Sequence, residues 1–279
     1  MNEIKLFAGK ASMDLAFEVA DYLNIPLSEM NYTRFADGEI KVSPAVNVRG
    51  CDVFVIQSTC QPSDNLVELL IMLDALKRAS ADSITSIVPY YGYARQDRKT
   101  QAREPITAKL IANLLTVAGA SRVVSIDLHS GQIQGFFDIP FDNLTAALIF
   151  RQYFYEKNLK DIVVVSPDVG GVTRAEIFAK GLKASLAIFA KSRPRPDSSE
   201  IVTLIGDVKD KNVVLFDDAI HTGGTLASTA HEVKKRGALC VFACATHGIF
   251  AGDSIDKIKE SPLEAVSYTH LRAHETVLD

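Results

Sequence analysis

An acidic pair followed by a short loop of threonine and glycine is the strongest chemical signal in the chain. Asp217 and Asp218 end an apolar run that starts at Val213, and Ala219-Ile220-His221 separates them from Thr222-Gly223-Gly224-Thr225. Such a run predicts a buried parallel strand, and α/β sheets bind ligands at the carboxyl ends of their strands. Backbone N–H groups, hydroxyls and a helix N-terminus after the loop suit a phosphate. Carboxylates for sugar hydroxyls beside a phosphate cradle predict a site for a phosphorylated sugar.

Two basic segments also follow strand-like runs. The stretch 90–105 holds four cations, and Lys191-Ser192-Arg193-Pro194-Arg195-Pro196 holds three cations with two stiffening prolines. A polyphosphate requires such compensating charge, and arginine can bind it in a bidentate manner. A mobile basic arm that closes over a phosphoryl-transfer centre would have the composition of the second segment. A solvated charged loop and a basic surface linker are the alternatives.

Three further segments place acids at strand ends or turns. Asp127 and His129, two apart after an apolar run, are expected to point the same way and to serve a divalent ion; a structural histidine is an equal alternative. Asp168 precedes a Gly-Gly pair at another strand end, where a plain turn with an Asx cap is the rival. The segment 35–39 offers an aromatic ring for a base and acids for its amine, or a simple turn between strands.

The elements that must position these residues alternate between strand-like and helix-like patterns. Predicted strands are Ile4–Phe7, Val53–Gln57, Ile84–Pro89, Val123–Ile126, Ile162–Ser166, Leu186–Ala190, Val213–Phe216 and Leu239–Ala245. Predicted helices are Ser12–Leu23, Asn65–Arg78, Ile106–Val117, Ala146–Lys157, Thr173–Lys183 and Leu226–Arg236. In the first helix we expect Ser12 as N-cap and Leu15, Val19, Tyr22 and Leu23 on one face. The alternation predicts an α/β fold with parallel sheets flanked by helices.

Bulk properties limit the class of protein. With 279 residues, 47% of them hydrophobic and 23% charged, the chain suits one large or two ordinary globular domains. A net charge of −4 argues against a nucleic-acid binder held by bulk charge. No apolar run reaches membrane-spanning length, the N-terminus lacks a signal-peptide layout, and the four cysteines form no Cys-x-x-Cys pair. We therefore expect reduced thiols, a cytoplasmic location and no membrane partner.

Taken in order, these segments resemble the ribose-phosphate pyrophosphokinase family, from about Ile4 to Val266. The motifs that carry the resemblance are Phe35-Ala36-Asp37-Gly38-Glu39, Tyr93-Ala94-Arg95-Gln96-Asp97-Arg98-Lys99, Arg103-Glu104-Pro105-Ile106-Thr107, Asp127-Leu128-His129, 132–138, 166–171, 191–196 and the acidic segment 217–225. The resemblance implies that ATP and ribose 5-phosphate give phosphoribosyl pyrophosphate and AMP. It also implies two type I phosphoribosyltransferase-like domains, 1–144 with the ATP-side motifs and 145–266 with the ribose 5-phosphate site, with the active site between them. Homodimers, commonly built into homohexamers, are expected.

The resemblance also implies roles for individual residues. The ATP-binding positions are Phe35, Asp37, Gly38, Glu39, Arg95, Gln96, Asp97 and Lys99. The magnesium positions are His129 and Asp168, and the catalytic arm carries Lys191 and Arg193. The ribose 5-phosphate positions are Asp217, Asp218, His221, Thr222, Gly223, Gly224 and Thr225.

Two departures from the family pattern carry expectations of their own. The family usually has an acid where this chain has His221, so we expect reduced or pH-sensitive use of ribose 5-phosphate, since histidine titrates near neutrality. Residues 267–279 form an atypical tail that we expect to lie outside the family fold, poorly ordered or packed differently. Two other functions stay open: a phosphoribosyltransferase that consumes phosphoribosyl pyrophosphate, and a non-catalytic regulatory subunit on the same fold.

Overall fold

The computed structural model describes residues 2–192, 201–269 and 273–277. At 191–192, 201–202 and 273–277 it describes the backbone alone. The chain divides into two compact units, Met1–Leu144 and Thr145–Asp279. Among the described residues, no helix is both long and apolar enough to cross a membrane.

The first unit is a parallel sheet with helices against it. Its elements are β1 (Ile4–Ala8), α1 (Met13–Leu23), β2 (Met30–Arg34), β3 (Ile40–Pro44), β4 (Asp52–Ile56), α2 (Asp64–Arg78), β5 (Ser83–Val88), α3 (Thr107–Ala118), β6 (Arg122–Ile126) and β7 (Phe141–Leu144). The sheet order is β1-β4-β5-β6-β7, and each neighbouring pair is parallel. The strands β2 and β3 form a separate antiparallel hairpin.

Both faces of this sheet are covered, as expected for parallel strands. Residues of β1 alternate between them: Phe7 packs with α2 and α3, whereas Leu6 and Ala8 pack with α1. The helix α1 packs against the sheet through Ala16 and Ala20. Small alanines let the helix approach the sheet closely.

The second unit has a larger, mixed sheet. Its elements are α4 (Ala147–Glu156), β8 (Ile162–Ser166), α5 (Val172–Leu182), β9 (Ser185–Ser192), β10 (Ile201–Ile205), β11 (Asn212–Ile220), α6 (Gly224–Lys235), β12 (Cys240–Gly248), α7 (Ser254–Lys259), β13 (Ala265–Thr269) and β14 (Ala273–Val277). The order is β10-β9-β8-β11-β12-β13-β14. The inner pairs are parallel, and the β9–β10 and β13–β14 pairs at the two edges are antiparallel.

An aromatic cluster fastens α4 and α5 to one face of the second sheet. The rings of Phe178 on α5 and Phe216 on β11 stack with centroids 4.2 Å apart and planes at 13°. Phe150 and Phe154 of α4 meet Phe216 and Phe178 edge-on. Each such pair contributes about 0.5–1.5 kcal/mol beyond its buried area. The cluster ends at Phe216, the residue directly before the acidic pair.

The predicted α/β class with parallel sheets flanked by helices is confirmed, and several local predictions are wrong. The strand predicted as Val213–Phe216 continues to Ile220, because Asp217 and Ala219 still pair with β12. The hairpin β2–β3 and the strand β7 are absent from the predicted strands; their short, polar segments lack an apolar run.

Two predictions about α1 are also wrong. Ser12 stands at the N-cap position without a capping bond, since its hydroxyl accepts the backbone N–H of Ser58 (2.8 Å) instead. Tyr22 is 90% exposed, whereas Leu15 and Val19 do pack against the core. A long-range bond therefore replaces the local cap.

Candidate active site

The loop between β11 and α6 forms a cradle around one left-handed glycine. Gly223 has φ +68°, and a Cβ there would lie 3.0 Å from the carbonyl oxygen of Ser254 and 3.3 Å from the side chain of Ile258. Only glycine combines this conformation with this closeness. The helix starts at Gly224, so its free N–H groups and the hydroxyls of the exposed Thr222 and Thr225 lie at one helix N-terminus. Such an end is suited to a phosphate.

The segment after β12 supports the cradle from behind. The backbone N–H of Ala251 donates to the carbonyl of His221 (2.8 Å), and that of Ile249 donates to the carbonyl of Ile220 (2.9 Å). His221 is half-buried and Thr222 is exposed. These two backbone hydrogen bonds hold the chain at the start of the cradle, and the side chain at position 221 takes no part in them.

Asp217 and Asp218 precede the cradle, and a guanidinium lies against both. Nη1 of Arg174 on α5 is 2.9 Å from Oδ1 of Asp218 and 3.4 Å from Oδ1 of Asp217. The backbone N–H of Asp218 donates to Oδ1 of Asp217 (2.8 Å). Burial, and next the charge of Asp218, raise the pKa of the Asp217 carboxyl well above its ordinary value, while Arg174 opposes that rise. The two acids therefore repel one another in a largely buried setting, and the guanidinium of Arg174 offsets part of that repulsion.

Asp168 lies in the turn between β8 and α5. Its Oδ1 accepts the backbone N–H of Gly171 (2.8 Å), and its carbonyl accepts the hydroxyl of Ser166 (2.7 Å). The predicted Asx-type turn is therefore present, and the residue as a whole is exposed. An exposed carboxylate held by its own turn is available to a ligand, so the structural and functional interpretations are compatible.

In the first unit, residues 35–39 form the tip of the β2–β3 hairpin. The backbone N–H of Phe35 donates to the carbonyl of Glu39 (3.0 Å), and Gly38 adopts φ +96°. All five residues are exposed, and the ammonium of Lys41 lies 5.7 Å from the centre of the Phe35 ring. The alternative of a turn between strands is thus correct, and the turn presents an aromatic ring and two carboxylates to solvent.

The polar loop after β5 is exposed but internally ordered. Oε2 of Glu104 accepts the backbone N–H of Thr100 (2.7 Å), its hydroxyl (2.8 Å) and the backbone N–H of Gln101 (2.9 Å). These bonds, that of Gln101 first, lower the pKa of the Glu104 carboxyl. The hydroxyl of Thr107 donates to the side-chain oxygen of Gln96. The loop is therefore closed on itself.

The predicted ATP-binding residues of this loop fall into two groups: two that form hydrogen bonds within the protein and two exposed cations. Gln132 donates its side-chain amide to Oδ2 of Asp97 (2.6 Å), and the carbonyl of Gln96 accepts the backbone N–H of Ala108 (3.1 Å). Arg95 and Lys99 are exposed. Gln96 and Asp97 thus anchor the loop, while the two cations project outward.

The expectation that Asp127 and His129 point the same way is wrong. The strand β6 ends at Ile126, and Asp127 adopts the left-handed φ of 42°. Asp127 is buried and His129 is exposed. The change in backbone conformation ends the alternation on which the expectation depended. His129 keeps the exposure that a ligand-binding residue needs.

The catalytic arm is described only in part. The backbone of Lys191 belongs to β9 and pairs with Val202 of β10. Its side chain, and the whole of Arg193, lie outside the described residues. The predicted roles of both therefore stay predictions.

Each of the two units matches a known protein family profile. A family profile described as the phosphoribosyl transferase domain matches residues 142–267, and one described as the N-terminal domain of ribose phosphate pyrophosphokinase matches residues 4–119. The second unit, which carries the cradle after β11, therefore belongs to the class of phosphoribosyl transferase domains.

Relatives narrow the class to one family. A ribose-phosphate pyrophosphokinase of Clostridium perfringens is 54% identical over 265 residues, 94% of this chain and 83% of that protein. The Bacillus subtilis enzyme of the same name is 49% identical over 268 residues, 96% of this chain and 84% of that protein. The crystal structure of phosphoribosylpyrophosphate synthetase from Mycobacterium smegmatis aligns with a TM-score of 0.90 at 44% identity, over 96% of this chain and 89% of that one. The chain belongs to the ribose-phosphate pyrophosphokinase family.

This membership confirms the predicted activity, the synthesis of phosphoribosyl pyrophosphate, and favours neither alternative function. Two residues of the site had no predicted role. Glu104 lies within the motif Arg103-Glu104-Pro105-Ile106-Thr107, and Arg174 lies in none of the motifs. A cation three residues after a Gly-Gly turn is a weak signal, because its partner Asp218 comes 44 residues later in the sequence.

Proposed function

We propose that the chain transfers the pyrophosphoryl group of ATP to the anomeric hydroxyl of ribose 5-phosphate, with the two substrates bound by the loops described above. The sugar oxygen attacks the β-phosphorus, the bond from that phosphorus to the oxygen bridging it to the α-phosphorus breaks, and AMP leaves. The hydroxyl proton is lost in the same reaction. Catalysis of this kind is mainly positioning and charge neutralisation. The left-handed Gly223 beside an acidic pair is the observation that carries the sugar-phosphate half.

Residue roles follow from the chemistry of each loop. The cradle Thr222–Thr225 holds the 5-phosphate, and Asp217 and Asp218 accept hydrogen bonds from ribose hydroxyls. The hairpin tip receives adenine, with Phe35 against the base and Asp37 and Glu39 near its amine. These assignments are supported by the exposure of the hairpin tip and by the free N–H groups at the start of α6.

Phosphate charge is met by cations from two places. The exposed Arg95 and Lys99 face solvent on a loop that Glu104 keeps closed, which suits a polyphosphate. Lys191 and Arg193 neutralise the oxygens of the group in transfer. Positive charge aimed at a phosphoryl group accelerates transfer by stabilising the charge that develops there.

Magnesium is the metal that this family implies, and the residues fit it. Mg²⁺ prefers oxygen ligands and keeps several waters, using one or two carboxylates and substrate phosphates. Asp168 supplies an exposed carboxylate, and within the described ranges no three metal-binding side chains converge into a protein cage. We assign Asp168 and His129 to the ion, which would neutralise charge on the bound phosphates.

We also propose which unit binds which substrate, where the protein is located and how it assembles. The first unit serves ATP and the second serves ribose 5-phosphate, in a cytoplasmic homodimer or homohexamer. Residues 267–269 belong to β13, where the buried Thr269 donates its hydroxyl to the carbonyl of Thr246 (2.7 Å). The place of the remaining tail relative to the family fold stays a prediction.

One assay tests the proposed reaction. AMP should form from ATP only when ribose 5-phosphate and Mg²⁺ are both present, and phosphoribosyl pyrophosphate should accumulate in equal amount. A folded protein that yields no AMP under these conditions would refute the synthetase assignment. Use of phosphoribosyl pyrophosphate with a free base would indicate the transferase alternative.

His221 gives a prediction about pH. Because the cradle backbone is fixed without its side chain, we expect ribose 5-phosphate to bind but with a pH-dependent kcat/KM near neutrality. The variant His221→Asp should flatten that dependence. Identical profiles for the two proteins would remove any role for the histidine.

A further inference from the structure

One cation of the second unit contacts both members of the acidic pair without being part of the strand or the cradle. Arg174 is the third residue of α5, and its side chain is 18% exposed. Its Nη1 lies 2.9 Å from Asp218 and 3.4 Å from Asp217. The side chains of those acids are 10% and 20% exposed, so the three charges share a largely dry environment. Ion pairs in such a setting are weakly screened and depend strongly on geometry.

The packing of α5 determines where this guanidinium lies. Arg174 and Phe178 are four residues apart and share one face of the helix. Phe178 stacks on Phe216, the residue before Asp217. The aromatic stack therefore sets the register of α5 against β11 and brings the cation to the acids.

Arg174 also lies beside the turn that carries Asp168. A Cβ on Gly171 would be 3.5 Å from Oδ1 of Asp168 and 4.0 Å from Nη1 of Arg174. Gly171 therefore lies beside both Asp168 and Arg174. The same arginine borders the two acidic segments of the second unit.

We propose that Arg174 is a positioning residue for ribose 5-phosphate, which holds the carboxylates of Asp217 and Asp218 in the orientation that accepts the sugar hydroxyls. The inference rests on the proposed sugar-binding role of those two acids. With the cation in place, two adjacent carboxyl groups can stay close together, and both can accept hydrogen bonds. Without it, their repulsion would turn one carboxylate away or favour its protonation.

Steady-state kinetics of Arg174→Gln, Arg174→Lys and the control Lys180→Gln test the proposal. Lys180 lies on the same helix, is exposed, and forms an i,i+4 ion pair with Glu176 (2.7 Å). We expect Arg174→Gln to raise the KM for ribose 5-phosphate about tenfold or more and to change the KM for ATP by less than about twofold. Arg174→Lys, which keeps the charge but loses the fork, should raise it about threefold.

A double-mutant cycle separates positioning from general damage. Asp218→Asn alone should also raise the KM for ribose 5-phosphate, and Arg174→Gln combined with Asp218→Asn should be little worse than the more severe single variant. Multiplicative effects, an unchanged KM in Arg174→Gln, or equal losses for both substrates would overturn the proposal. If Arg174→Gln does not fold, Arg174→Lys decides the question, and an unchanged KM there would overturn it too.

The acids tested alone separate this inference from the proposed function. If Asp217→Asn and Asp218→Asn raise the KM for ribose 5-phosphate but the Arg174 variants do not, only the positioning role fails. If neither acid variant affects that KM, the sugar-binding role of the pair fails as well.

Discussion

The loops at strand ends differ in kind between the two units, although both units are built on parallel strands. After β11 the loop is short, and Gly223 holds it in a left-handed conformation. It follows Asp217, which is partly buried, and Asp218, which is buried. After β5 the loop is long, basic and exposed, and Glu104 closes it through hydrogen bonds. The first arrangement is determined by backbone packing, and the second by side-chain contacts at the surface.

The difference matches the ligands that we assign. A sugar phosphate has one small, well-defined shape, and a cradle of backbone N–H groups recognises it through fixed geometry. A triphosphate carries more charge over a longer path, and arginine and lysine on an adaptable loop meet that charge. Changes in the second unit should therefore act through geometry, and changes in the first through charge.

The largest expected effect comes from Gly223→Ala. The alanine would have to adopt φ +68° and would meet the Ser254 carbonyl at 3.0 Å. We expect kcat/KM for ribose 5-phosphate to fall about a hundredfold, which corresponds to ~2.7 kcal/mol. The matched control is Gly237→Ala, a glycine at φ +92° after α6 where the nearest contact of a Cβ would be the Lys209 side chain at 3.3 Å. Equal kinetic losses in both variants would contradict a specific role for the cradle.

A smaller effect is expected from Arg95→Ala in the first unit. The side chain is exposed, so its removal should leave the fold intact while weakening attraction for a polyphosphate. We predict an increase of about tenfold in the KM for ATP, steeper at low salt, and little change for ribose 5-phosphate. Arg78→Ala on α2, another exposed arginine, serves as the control. A loss that does not depend on ionic strength would argue against a role through charge.

Asp217→Asn should change stability with a defined pH dependence. Burial raises the folded-state pKa of Asp217 above its ordinary 3.8, so the wild type loses stability as pH rises from that value through the raised pKa. The asparagine can still accept the N–H of Asp218 but carries no charge. We expect the variant to gain on the order of 1 kcal/mol over wild type at pH 7 and nearly nothing at pH 3, measured by urea unfolding. If the difference in the free energy of unfolding between the two proteins is the same at every pH, the raised pKa of Asp217 is not its cause.

The smallest effect is expected from Glu104→Gln. The lowered pKa means that the carboxylate orders the loop above the ordinary Glu pKa and loses this effect as pH falls through the folded value. The neutral amide accepts the N–H groups of Thr100 and Gln101 more weakly. We predict an increase of about threefold in the KM for ATP at neutral pH, with Glu260→Gln in the second unit unchanged. An equal effect on both substrates would show that the loop is not specific to ATP.

The sequence was informative where apolar runs are long and loops are short. The run before Asp217 predicted a buried strand, and the glycines after it predicted a tight cradle; both are present. The hairpin β2–β3 escaped prediction because its strands are mostly polar, and the turn at Asp127 escaped because a left-handed aspartate is not visible in a pattern of residue types. The contact between Arg174 and Asp218 depends on how α5 packs on β11, which no local pattern encodes.

Parallel pairing in the first sheet has a consequence for synthesis of the chain. The strand β1 is made first, but its partner is β4, and Ile4 and Ala8 must wait for Asp52 and Ile56 to emerge. The β2–β3 hairpin between them pairs locally and needs no such wait. Non-local pairing is slow, and unpaired apolar strands expose a nascent chain to aggregation. During translation the hairpin that we assign to adenine can therefore form while β1 still lacks its neighbour.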